Sequence, residues 1–206
     1  MAEPYLRLGV LDHRHLDARA ANNAGNAGVI LCERRFRAKI NLRGKPIKKF
    51  LDAVRKALGV ALPKTPNSTV TTKDITALWL GPNEWLLVGR PGAEGGMVEA
   101  LRQELASQHV AITDVTEGRT IIGLTGSNAR DVLMKGCSLD IHPRHFKPGD
   151  CAQSALAKAL IILHQTSGDS GIEPTYDIYV ERSFADYLWI WLEDAALEYG
   201  LAVTKG

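Results

Sequence analysis

Four stretches hold residue types that could do chemistry. Gly168-Asp169-Ser170-Gly171 repeats the residues around the nucleophilic serine of one protease class. A serine nucleophile needs a positioned base, and no His or Asp stands in a recognisable companion setting. The stretch reads as a polar hairpin loop. His142 and His145 lie three apart and are flanked by Cys137 and Cys151. Those types bind zinc, but the spacing matches no common structural site, and Pro143 prevents one helix from aligning the two imidazoles. GRPGAEGG (89–96) is glycine-rich and precedes a helix, yet it lacks both GxGxxG and the GK[ST] ending of a phosphate loop. Arg35, Arg37 and Lys39 form a basic row on one face of a strand. Such a row can track phosphates, but Phe36 alternates inward, so interleaved stacking aromatics are missing. Docking to an acidic protein surface and a plain solvated face both remain open for it.

No catalytic, cofactor-binding or metal-ligating residue is therefore assigned. Paired carboxylates, a Cys/His set and a dinucleotide fingerprint are all missing from the pattern. That favours a binding or structural subunit over a free-standing enzyme, without nucleic acid. The net charge of +2 over 206 residues hides an asymmetry. Residues 1–60 carry 13 Lys and Arg against 5 Asp and Glu, a net of +8, and the rest of the chain carries −6. Such a split concerns partners rather than fold. No apolar run reaches the roughly 18 residues that cross a bilayer, so no membrane is expected. Three widely spaced cysteines argue against a disulfide framework. A cytoplasmic protein is the expectation.

Elements must position whatever the chain presents. Residues 1–27, rich in Ala, Asn and Gly, read as a mobile N-terminal arm. From Arg35 the pattern alternates: Ala38, Ile40 and Leu42 face one way, and Arg37, Lys39, Asn41 and Arg43 the other. Gly44 ends that strand. Phe50, Leu51, Val54 and Leu58 follow at helical spacing. ALWLGPNEWLLVG (77–89) reads as two strands around a Gly-Pro-Asn turn, with Trp79 and Trp85 on opposite arms. A helix over 97–107 completes the set.

The second half repeats the first. INLRG (40–44) aligns with IGLTG (122–126), and LGVALP (58–63) with CSLDIHP (137–143). Another strand pair and a last helix follow. The fold class is α+β, a duplicated β-α-β-β-α unit. Residues 28–206 read as a single duplicated domain with halves at about 28–108 and 110–200. In the last helix, Ser183 offers an N-cap with Asp186 three residues on. Phe184, Tyr187, Leu188, Trp191, Leu192 and Ala195 make one apolar stripe. Trp189 and Ile190 fall outside it and call for a second burial surface, supplied by this chain or by a partner. The candidate subunit interface is thus Trp189 and Ile190 with Arg35, Arg37 and Lys39. Trp189 is the candidate exposed aromatic anchor, whereas Trp79 and Trp85 read as hairpin core or subunit contact.

LGPNEWLL and SFADYLWIWLEDAA, with DVTEGRTIIGLTG between them, resemble the gamma subunit of heterotetrameric sarcosine oxidase over about residues 28–200. The resemblance implies partners: alpha, beta and delta subunits. It implies a complex that oxidises sarcosine to glycine with oxygen, forms hydrogen peroxide and passes the one-carbon unit to tetrahydrofolate. FAD, FMN and NAD would be held by alpha and beta, and zinc by delta, with no cofactor in this chain. The implied fold resembles the folate-binding part of aminomethyltransferase. An independent folate-binding or aminomethyltransferase-like one-carbon protein is the alternative that this fold raises. No stretch matches that enzyme's folate-contacting residues, so none is carried over.

Overall fold

A computed structural model describes residues 7–21, 27–168 and 171–206. Its elements run α1 (Leu16–Ala20), β1 (Val29–Glu33), β2 (Arg37–Gly44), α2 (Lys48–Leu58), β3 (Thr69–Thr71), β4 (Thr76–Gly81), β5 (Glu84–Pro91) and α3 (Glu94–Leu105). Then come β6 (Val110–Asp114), β7 (Arg119–Thr125), α4 (Ala129–Met134), β8 (Cys151–Leu156), β9 (Ala159–Ser167), β10 (Thr175–Glu181), α5 (Ala185–Ala196) and β11 (Leu201–Val203). The duplication is visible in that order. β2-α2-β3-β4-β5-α3-β6 and β7-α4-β8-β9-β10-α5-β11 have the same sequence of types, so the α+β class is as expected.

The chain forms two compact units, where the sequence reading draws one duplicated domain. One unit is 36–118 with 149–153, and the other is built from the described residues of 1–35, 119–148 and 154–206. The division falls elsewhere than residue 109, for two reasons. β1 pairs antiparallel with β7, which takes residues 29–33 away from the first repeat. β6 pairs antiparallel with β2, which keeps 110–114 in it.

In the smaller unit the sheet order is β3-β4-β5-β2-β6. Alternation turns Ala38, Ile40, Leu42, Ala77, Trp85 and Leu87 to one face. Phe50 and Val54 of α2 and Met97, Leu101 and Leu105 of α3 close that core. The Gly-Pro-Asn hairpin forms as expected, with Trp79 opposite Trp85 across β4 and β5. Trp85 is buried, donates Nε1–H to the Pro63 carbonyl at 2.9 Å and meets the Phe50 ring at 5.7 Å. Trp79 packs on the same cluster. Both tryptophans are packing residues of this unit.

The larger unit has the sheet order β11-β1-β7-β10-β9-β8. Its first described segment departs from the expected mobile arm. Leu11 and Leu16 are buried, and α1 occupies residues 16–20. Acids on one side and bases on the other hold the segment. Asp12 and Asp17 pair with Arg35, while His13 and Arg14 each reach Asp186 at 2.6 Å. The remainder of the arm, residues 1–6 and 22–26, lies outside the described residues. No helix among the described residues is long and apolar enough to cross a membrane.

Candidate subunit interface

α5 carries the candidate aromatic anchor, and here the structure corrects the sequence reading. The inward face is Ala185, Leu188, Trp189, Leu192, Ala195 and Ala196. Trp189 is 0% exposed, so this chain itself covers it and it is not an exposed anchor. The helix starts at Ala185 after a 3-10 turn at Arg182–Phe184, so its cap position falls on Phe184 rather than Ser183 and carries no side-chain capping hydrogen bond. Asp186, the expected cap partner, is engaged by Arg14 and His13 instead. Those contacts hold its carboxyl below the ordinary carboxylate range, the Arg14 hydrogen bond being the largest cause. Two overlapping stripes of this helix are apolar, so spacing alone could not choose between them.

The outer side carries apolar residues as well, among Asp186, Glu193 and Asp194. Ile190 is 48% exposed, so this chain does not bury it as it buries Trp189, and Phe184, Tyr187 and Leu197 are exposed beside it along the helix. Tyr187 is anchored at its tip, where the hydroxyl accepts the Lys158 N–H at 3.3 Å.

The basic row does not stand on one exposed face. Phe36 takes a left-handed backbone (φ 57°), so regular alternation starts only at Arg37. Arg35 lies before that turn and belongs to the larger unit. It is committed to Asp17 at 3.1 Å, Asp12 at 3.3 Å and Glu33 at 3.4 Å. Lys39 is 2% exposed, and its Nζ donates to the Arg37 carbonyl at 2.5 Å. Its neighbours on that face, Leu78, Leu86 and Val88, are buried as well. Alternation shows two faces, but it does not show that both are covered. Arg37 is half-buried, and the β2–β5 register shifts between it and Lys39. On α2, the expected basic helix, Lys48 is paired with Asp52 and Lys56 with Glu104.

Sequence reading missed a row of polar groups across the larger sheet. Strand register sets Cys32 opposite Gly123, Gly123 opposite Asp177, and Asp177 opposite His164. Arg34 Nε lies 2.5 Å from Asp177 Oδ1. Burial pushes the Cys32 thiol up and the His164 imidazole down; Asp177 opposes the His164 shift and Arg34 adds to it. Four residues so far apart in sequence meet only through pairing, and no local spacing announces them.

The other sequence candidates stay apart. His142 and His145 are exposed on the loop after α4, where His142 Nδ1 accepts the Arg144 N–H. Among the described residues no three His, Cys, Asp or Glu side chains converge to hold a metal. All three cysteines are free thiols. In GRPGAEGG, Gly92 takes φ 79° at the turn into α3. Asp169 and Ser170 of GDSG lie outside the described residues.

Two paired α+β repeats of this order define a fold class shared with aminomethyltransferase. The glycine cleavage system aminomethyltransferase T from Bartonella henselae matches with a TM-score of 0.62, at 16% identity, over 96% of this chain and 51% of that one. That is a likeness of fold. Within the class, residues 44–198 match the model of the sarcosine oxidase, gamma subunit family, and the chain belongs to that family. The sarcosine oxidase subunit gamma of Corynebacterium sp. strain U-96 is 30% identical over 96% of this chain and 93% of its own length. That of Arthrobacter sp. is 28% identical over 90% and 88%. A chain of the heterotetrameric sarcosine oxidase from Corynebacterium sp. U-96, solved with pyrrole 2-carboxylate, superposes with a TM-score of 0.83 at 29% identity, over 94% of this chain and 96% of that chain.

Proposed function

We propose that this chain is a non-catalytic structural subunit of a heterotetrameric sarcosine oxidase, active only as part of the complex. One observation carries the reading: nearly the whole chain superposes on nearly the whole of a chain from such a complex. The partners are the alpha, beta and delta subunits. The complex demethylates sarcosine oxidatively in the cytoplasm, giving glycine, hydrogen peroxide and methylenetetrahydrofolate. FAD, FMN, NAD and zinc belong to the partner chains, and tetrahydrofolate is a substrate of the assembly. The outer face of α5, with Ile190 and Tyr187, supplies apolar contact area on this chain, and Arg37 is the charged residue of the original row left for a partner.

Co-expression with candidate alpha, beta and delta chains, followed by size-exclusion chromatography read at flavin wavelengths, tests this. Co-elution with the flavin-coloured peak is expected. Elution of this chain away from that peak would sink the reading. Micromolar binding of tetrahydrofolate by the isolated chain, followed by tryptophan fluorescence, would support an independent folate protein instead.

A further inference from the structure

The two sheets follow one order up to a point. β8-β9-β10-β7 in the larger unit corresponds to β3-β4-β5-β2 in the smaller. Past β7 stand β1 and then β11, but past β2 stands β6 alone. The larger sheet has recruited β1 from outside its repeat and reaches six strands. The smaller sheet receives no such strand from the described residues and ends at β6.

Among the described residues no further strand pairs with that end. Edge strands are ordinarily kept short, bulged, charged with lysine or broken by proline. β3 and β11 have three residues each. The β8 edge is partly occupied by a bridge between Cys137 and Leu156. β6, Val-Ala-Ile-Thr-Asp, has five residues, neither Lys nor Pro, and an unbroken register with β2. Val115 donates its N–H to the Lys39 carbonyl at 2.9 Å. Bonded and non-bonded pairs alternate in an antiparallel ladder. Asn41–Thr113 and Arg43–Ala111 are then the bonded pairs. The N–H and C=O groups of Val110, Ile112 and Asp114 consequently point away from β2.

A groove runs beside this edge along α3. One hollow of about 310 Å³ is lined by Arg102, Leu105, Val110 and Ile112. A second of about 580 Å³ is lined by Val98, Glu99, Arg102 and Asp114. Val98, Val110 and Ile112 are only partly buried on the core cluster. Arg102 lines both hollows, is exposed, and has no ion-pair partner among the described residues. Both hollows are open to solvent, which suits a chain laid along the edge.

We infer that β6 is a strand-addition site for an extended segment of a partner subunit. The segment carries alternating apolar residues toward the α3 groove and an acidic residue against Arg102 in the hollow with Val110 and Ile112, which holds no carboxylate, rather than in the one with Glu99 and Asp114. Strand addition draws affinity from main-chain hydrogen bonds and specificity from alternate side chains. This rests on the subunit reading above.

Hydrogen exchange on the assembled complex and on the isolated full chain tests it. The Ile112 and Asp114 amides should exchange at least about tenfold more slowly in the complex. Ile112→Pro removes an N–H that β2 does not use, and it should lower the assembled fraction at least about tenfold. Should that variant misfold, Arg102→Glu on the exposed α3 surface serves instead, with weaker assembly and an unchanged unfolding midpoint. A complex that assembles while both amides exchange as fast as in the free chain overturns the strand-addition site and leaves the subunit reading intact. A wild-type chain that never assembles overturns both. Protection that grows with concentration in the isolated chain assigns the edge to a second copy, and overturns the partner segment.

Discussion

Arg34 reaches Asp177 across an intervening strand, with Nε 2.5 Å from Oδ1. β7 lies between β1 and β10, and the β7 residue in line with Cys32 and Asp177 is Gly123. A Cβ at Gly123 would stand 2.6 Å from Cys32 Sγ and 3.2 Å from Arg34 Nε. The missing side chain is what lets the guanidinium lie over the strand.

Gly123→Ala should therefore destabilise the chain, by about 1–3 kcal/mol as for other overpacked sites. Urea unfolding followed by tryptophan fluorescence measures it. Cys32→Ala in the same chain should recover part of the loss, because the closest clash is with Sγ. No recovery in the double variant would mean that the Arg34 displacement carries the cost.

Trp189 and Ile190 are adjacent in sequence and opposite in exposure. Trp189→Ala should cost about 3–5 kcal/mol of stability, the range for a large aromatic removed from a core. Ile190→Ser should change stability by no more than about 0.5 kcal/mol, as exposed substitutions do, and should weaken assembly with partner chains. Denaturation midpoints of the two variants, measured beside co-elution with the partners, separate the roles. Equal midpoints would contradict the burial of Trp189.

What the sequence made legible follows from how local each signal is. The Gly-Pro-Asn hairpin, the apolar face of β2 and the strand-helix order of both repeats depend on neighbours within one element, and all appear in the fold. Trp189 was misplaced because α5 is apolar over two overlapping stripes, and the volume available for an indole decided between them. Lys39 was misplaced because period-two alternation says nothing about a second buried face. β3, β6, β8 and β11 were missed because three to six residues carry too little pattern. The Cys32-Gly123-Asp177-His164 row and the placement of β1 beside β7 are products of pairing between distant segments.

His164 makes stability depend on pH. Burial lowers its pKa from the ordinary value of 6.5, with Asp177 opposing that shift and Arg34 adding to it. A lowered folded pKa means that the unfolded chain binds the proton more readily, so stability rises with pH through this range. The contribution is fully present above about 6.5 and is lost as pH falls from there toward the lower folded value. Unfolding free energy should drop between pH 7.5 and 5.5, and His164→Gln should flatten that slope. An unchanged slope in the variant would remove His164 as its source.

Cys151 should be the slowest thiol of the three to react. Burial pushes its pKa up to about 12, and its Sγ lies 3.5 Å from the carbonyl oxygens of Ser68 and Trp79. The thiolate is the nucleophile, so at pH 8 almost none is present while the smaller unit stays folded. Alkylation by iodoacetamide should then proceed through opening of that unit, and its rate should follow urea concentration as the unfolding equilibrium does. Cys137, half-buried after α4, should label first under native conditions. Mass spectrometry of peptides from a timed labelling series gives the order. Early labelling of Cys151 in the folded chain would show that the Ser68–Trp79 enclosure opens without unfolding.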